Sequence, residues 1–184
     1  MMRNGYVVFT GGPGSGKSTV IEALRRLGHA CSGEKGRRII QEELGRSGDA
    51  LPWRDKTAFR DRMLEKDFAA YEHYQGYEGP VFFDRGIVDA YGYSLLEGLE
   101  ITLALRSACA SHRYGGPVFI FPPWERIFTN DTERKQDFAE ARRTHKAMRK
   151  AYGDFGYALT EVPRAPVEER VRFITRRLGR ELTG

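Results

Sequence analysis

One run near the start of the chain limits what the rest can be: Phe9-Thr10-Gly11-Gly12-Pro13-Gly14-Ser15-Gly16-Lys17-Ser18-Thr19. Gly11 and Gly16 stand with four residues between them, and Lys17 and Ser18 follow at once, which is the pattern of a phosphate-binding P-loop. Its surroundings agree. Gly5–Thr10 reads as a buried strand, while Val20, Ile21, Leu24 and Leu27 recur at helical spacing, so the loop joins a strand to the start of a helix. Glycines there let successive backbone N–H groups turn inward on an anion, and the helix start adds unpaired donors and the positive end of its dipole. A Gly-rich turn would match by accident in about one chain in a hundred of this length, fewer between a strand and a helix. Gly11, Gly12, Pro13, Gly14, Ser15, Gly16, Lys17, Ser18 and Thr19 are therefore the expected nucleotide-binding residues. Lys17 is expected at the β and γ phosphates, on an exposed loop and packed against ligand, with Ser18 offering its hydroxyl to Mg²⁺.

The later segments alternate in kind. Apolar runs at His29–Cys31, Val81–Phe83, Val118–Phe121 and Gly156–Pro163 are short and bounded by glycine, proline or charge, as strands are. Between them lie helical patterns: one through Arg37–Ile40, one over about 57–75 carrying Phe59, Met63, Phe68 and Tyr71, two within about 88–113, and one over about 130–152, which Asn130 and Glu133 would cap. A closing helix has Pro166 early, Glu168 and Glu169 in its first turn and Arg176 and Arg177 near its end. Five strands alternating with helices predict an α/β fold, a three-layer arrangement around a parallel sheet. Residues 1–184 form one domain on this reading, with an acceptor-binding insertion at about 45–78 and a lid at about 123–145.

No apolar run approaches the ~18 residues of a membrane span, and no signal peptide is recognisable, so the expectation is a soluble cytoplasmic protein. Cys31 and Cys109 fall in no metal-ligand or redox spacing and suit a reducing compartment. The net charge of +5 permits nucleic-acid binding and equally suits polyanionic nucleotides; with no readout motif present, nucleic acid is not expected as a partner.

Ligands of such sheets sit beyond the carboxyl ends of the strands, which collects several distant segments on one rim. Asp84 follows an apolar strand where a Walker B carboxylate would hold Mg²⁺ beside Ser18, although Asp before Arg-Gly-Ile-Val could equally cap a helix. Arg85 would reach the transferred phosphoryl group or form a surface ion pair. Glu34 and Arg37, one turn apart, could act as proton acceptor and anion clamp, or be an exposed helical ion pair. In the basic segment 124–143, Arg134 is the arginine expected at the lid tip, whereas Arg142, Arg143, Lys146, Arg149 and Lys150 read as a solvated helix face. Trp53 and Phe59 flank the region where an acceptor would bind, and either could be core.

The P-loop, Glu34 with Arg37, Phe83-Asp84-Arg85-Gly86, Pro122-Pro123-Trp124-Glu125 and Asn130-Asp131-Thr132-Glu133-Arg134 together resemble a family of small P-loop proteins described as an AAA-type ATPase domain. That family is similar to nucleoside, ribosylnicotinamide and nucleotide monophosphate kinases. The resemblance spans Tyr6 to about Ile174 and implies strand order 2-3-1-4-5, Mg²⁺-ATP at the P-loop, Asp84-Arg85 in the place of those kinases' Asp/Glu-Arg motif, and Glu34 where deoxynucleoside kinases keep their base. Against true AAA+ machines, the sequence shows no helical C-terminal domain after the sheet and no segment left over for sensor arginines, so hexameric remodelling is not expected. The expected function is an ATP-dependent phosphotransferase on a small-molecule acceptor, kinase-like, with an ATPase or nucleotide-dependent switch that binds a protein partner as the alternative.

Overall fold

The computed structural model describes residues 5–129 and 137–182. In chain order the elements are β1 (Tyr6–Gly11), α1 (Lys17–Arg26), β2 (Ala30–Ser32), α2 (Gly36–Gly45), α3 (Lys56–His73), β3 (Val81–Asp84), α4 (Ile87–Glu97), α5 (Leu103–Ser111), β4 (Val118–Phe121), α6 (Phe138–Asp154), β5 (Leu159–Glu161) and α7 (Val167–Leu182). The strands form a five-stranded sheet in the order β2-β3-β1-β4-β5, every neighbouring pair parallel. This is the α/β P-loop architecture and strand order expected from the sequence.

The central strands are apolar throughout because each of their faces has its own core, as parallel sheets require. Tyr6, Val8, Val81, Phe83 and Val118 point into one cluster with Ile87, Val88 and Tyr91 of α4, Leu105 of α5 and Ala151 and Tyr152 of α6. Val7, Phe9, Phe82, Phe119 and Phe121, the alternate residues, meet Val20, Ile21 and Leu24 of α1 and Val171, Ile174 and Leu178 of α7. A third, smaller cluster of Ile39, Ile40, Leu51 and Phe59 anchors α2 and α3 beside the sheet.

Several boundaries differ from expectation. Leu27 caps α1 and is 65% exposed, because the apolar stripe ends at Leu24 and Gly28 turns the chain at φ 90°. The last strand keeps only Leu159–Glu161 of the expected run, since Gly156, at φ 72°, still belongs to the turn closing α6. The α6 helix begins at Phe138, where Asp137 accepts a hydrogen bond from the Glu140 N–H and so performs the capping assigned to Asn130 and Glu133; those two lie outside the described residues. On α6, Arg142, Arg143, Lys146, Arg149 and Lys150 are all exposed, the solvated face that their spacing predicted.

Candidate functional site

The rim beyond the carboxyl ends of β1 to β4 opens as a cleft of about 920 Å³. Its floor is the P-loop, where Gly11, Gly14 and Gly16 all take positive φ, a conformation that costs an L side chain about 1 kcal/mol or more. Gly12 is required for a second reason. A Cβ there would lie 2.3 Å from the carbonyl oxygen of Ala141, so only a bare backbone lets α6 pack against the loop. Lys17 is not exposed as expected of a loop lysine: it is 6% exposed, and its ammonium donates to the Gly12 carbonyl at 2.7 Å and to Ser15 Oγ at 3.2 Å.

Three oxygens meet beside Lys17. The Ser18 hydroxyl, in the first turn of α1, lies 3.3 Å from Asp84 Oδ2 and 3.5 Å from Glu34 Oε2. Asp84 ends β3, is 2% exposed, and its Oδ1 is buried with no partner among the described residues. A buried carboxylate oxygen is rarely left unmatched. The helix-cap alternative for Asp84 is overturned, because the N-cap of α4 is Gly86, whose N–H donates to Asp89 Oδ2 at 3.0 Å. Glu34 does not share a helix face with Arg37 as expected: α2 starts at Gly36, so Glu34 sits in the loop before it, with Arg37 Nε 3.9 Å from its carboxylate. That loop position turns Glu34 towards the P-loop.

Arg85 holds a left-handed conformation, φ 66°, unusual for a residue with a side chain. Two contacts hold it there. Its N–H donates to the Phe9 carbonyl at 2.9 Å, and its guanidinium donates to Asp89 Oδ1 at 3.1 Å. Asp89, 5% exposed, is the hub of this corner: Oδ1 also accepts from Thr10 Oγ1 at 2.7 Å, and Oδ2 accepts from the Tyr152 hydroxyl at 2.6 Å besides Gly86 N–H. One carboxylate thus ties the end of β1, the Asp84-Arg85 turn, α4 and α6 together, and pushes the Tyr152 pKa up further after burial has raised it. Sequence reading did not single out Asp89. A signal existed in its place as the only charge in Ile87–Tyr91, three residues after a glycine cap.

The cleft is strongly positive. Among the described residues, Lys17, Arg37, Arg85, Arg126, Arg164 and Arg170 line it against Glu34 and Asp84, a balance suited to a polyphosphate. Arg170, on α7, was not foreseen, since in sequence it is one more arginine of a basic helix. Beside the cleft, and sharing Pro13, Glu34 and Arg85 with it, lies a mostly apolar pocket of about 90 Å³ walled by Ile40, Pro52, Phe59, Met63, Leu96 and Met148. Phe59 is both core and wall, at 5% exposure, whereas Trp53 is 38% exposed and lines neither space. Arg134 lies outside the described residues.

A strand, a glycine loop and a helix start facing a carboxylate-ended third strand define a P-loop domain of the nucleotide-handling kind. The chain belongs to the family whose model is described as an AAA domain, which matches residues 6–170. No curated protein matches it in sequence. Solved structures match in fold: deoxyadenosine kinase from M. mycoides with dCMP and dCDP, at 13% identity and TM-score 0.62, over 95% of this chain and 98% of that one. The same kinase with dATP matches at 15% identity and TM-score 0.62, covering 95% and 99% of the two chains. NadR in complex with NR matches at 18% identity and TM-score 0.64, over 95% of this chain and 50% of that one. Among the described residues no helix is long and apolar enough to cross a membrane.

Proposed function

We propose that this protein is an ATP-dependent phosphotransferase acting on the hydroxyl group of a small acceptor. The observation that carries the reading is the place of Glu34, which lines both the cationic cleft and the apolar pocket and faces Ser18 across 3.5 Å. A carboxylate on that boundary is where an acceptor hydroxyl would meet the terminal phosphate. Lys17 would exchange the Gly12 carbonyl for the β and γ phosphates, and the P-loop N–H groups would hold the chain. Ser18 and Asp84 suit a hydrated Mg²⁺, since Asp84 Oδ1 has no other partner among the described residues; the bound ion would offset charge on the phosphates. Arg85 and Arg37 would face the transferred group, and Arg134 would join them if the lid at 123–145 closes over it. Glu34 takes the hydroxyl proton, the acceptor oxygen forms its bond to the γ-phosphorus, and the bond from that phosphorus to the bridging oxygen breaks to release ADP.

The pocket favours an acceptor without a phosphate of its own. Among the described residues its only cation is Arg85, already bonded to Asp89, while Glu34, Asp89 and Glu97 also line it. Tyr93, kept protonated by burial, has a hydroxyl without a partner among the described residues and can donate to a polar atom of the acceptor. Segment 45–78 supplies Pro52, Phe59 and Met63 to these walls, in keeping with its reading as the acceptor insertion. A soluble, cytoplasmic setting suits such chemistry.

A panel of nucleosides, nucleotides and related alcohols with Mg²⁺-ATP should reveal an acceptor phosphorylated faster than ATP is hydrolysed. Glu34→Gln should slow that transfer by ~10²- to 10⁴-fold and leave ATP affinity almost unchanged. Hydrolysis insensitive to every acceptor, and unaffected by Glu34→Gln, would instead mean an ATPase or a switch that binds a protein partner.

A further inference from the structure

Arg170 stands in the first turn of α7, the end of a helix that disfavours a cation, and it is 2% exposed. Its guanidinium reaches under the P-loop. Nη1 donates to the Ser15 carbonyl at 2.8 Å, and Cζ sits 4.7 Å from the centroid of the Trp124 ring and 5.9 Å from that of Phe121. Glycine at position 16, at φ 83°, leaves room for this approach, since a Cβ there would lie 2.7 Å from Nη1. Among the described residues, Nε and Nη2 are buried with no hydrogen-bond partner and Arg170 forms no ion pair. Burial pushes its pKa down from the arginine value.

A buried cation with idle donors and no counter-ion among the described residues is a standing cost to the free protein, and an apolar side chain of similar size would avoid it. The cost disappears if an anion enters beside it, and Arg170 lines the cleft that carries the P-loop. Resting on the nucleotide-binding reading above, we propose that Arg170 is a nucleotide-binding residue that acts from behind the P-loop. It turns the Ser15 carbonyl away from the cleft so that the loop's N–H groups face the ligand, and its charge is matched only when the polyphosphate chain is bound. Trp124, stacked on the same guanidinium, then senses occupancy of the cleft.

The role separates from packing by a substitution that keeps volume and removes charge. Arg170→Met in the full chain should melt no lower than wild type without ligand, yet bind Mg²⁺-ATP about 10- to 100-fold more weakly, the scale of one lost buried charge contact. Inorganic tripolyphosphate should lose affinity by the same factor, and adenosine should lose none. Arg170→Lys should recover part of the loss. In Trp53→Phe, which leaves Trp124 as the sole tryptophan, ATP should change the emission, and adding Arg170→Met should remove most of that change. Arg170→Met that melts lower but binds ATP as wild type does would make Arg170 a packing residue and overturn the inference. An equal loss for adenosine would do the same, by placing its contact on the base. Wild-type protein that binds neither ATP nor tripolyphosphate would overturn the nucleotide reading itself, an outcome told apart by the unmutated control.

Discussion

Replacing Asp89 by asparagine tests the corner on which the site is built. The carboxylate accepts from four donors, Thr10 Oγ1, Arg85, Gly86 N–H and Tyr152, at 2.6 to 3.1 Å; three of these bonds are buried, and the one from Arg85 is part-buried at the cleft wall. An amide keeps one oxygen, enough for two of these donors, and turns its own N–H groups on a hydroxyl, which can rotate to accept, and on an N–H donor, Arg85 or Gly86, which cannot. Each stranded donor costs ~1–3 kcal/mol, and Arg85 also loses its charge partner, so ~3–5 kcal/mol is the expected loss. At ~2–4 °C per kcal/mol for a chain of this size, the melting temperature should fall by ~6–20 °C. Tyr152→Phe removes one donor and leaves the carboxylate its other three, so it should cost only ~1.5–3 kcal/mol. Thermal melts of both variants without nucleotide measure the pair. A melt of Asp89→Asn within ~2 °C of wild type, or a cost for Tyr152→Phe as large as that for Asp89→Asn, would refute the role of Asp89 as hub.

Lys17→Ala should abolish phosphoryl transfer and weaken ATP binding at least tenfold, while its melt drops only a few degrees. Its contacts to the Gly12 carbonyl and Ser15 Oγ are each worth ~1 kcal/mol, and gross unfolding would make Lys17 structural. Gly12→Ala should both destabilise, by ~1–3 kcal/mol, and impair binding, because its methyl must push α6 away at Ala141; wild-type melting and affinity would contradict that contact. His145 has its pKa lowered by burial first, then by Arg149, Arg164 and Lys17, against Glu161. The unfolded chain therefore binds a proton below pH ~6.5 that the folded chain refuses until a lower pH, so stability falls on acidification through that window. His145→Gln should flatten this part of the melting-temperature profile, and an unchanged slope between pH ~7.5 and ~5.5 would argue against it.

The sequence by itself determined the elements that rest on local pattern. The P-loop between strand and helix, the apolar runs of β3 and β4, and the alternation of strand with helix follow from chain neighbours, and so does the rim that joins Lys17, Glu34 and Asp84. Those signals are covalent spacing, and spacing is legible in one dimension. Only the tertiary structure decided which polar groups become partners once water is excluded. Asp89 reads as one helical acid until Thr10, 79 residues earlier, and Tyr152, 63 later, close on its two oxygens. Arg170 reads as part of a basic stripe until α7 packs beside α1 and slides it beneath Ser15, 155 residues away along the chain. Desolvation makes such distant pairs count, and it exists only after the chain has folded.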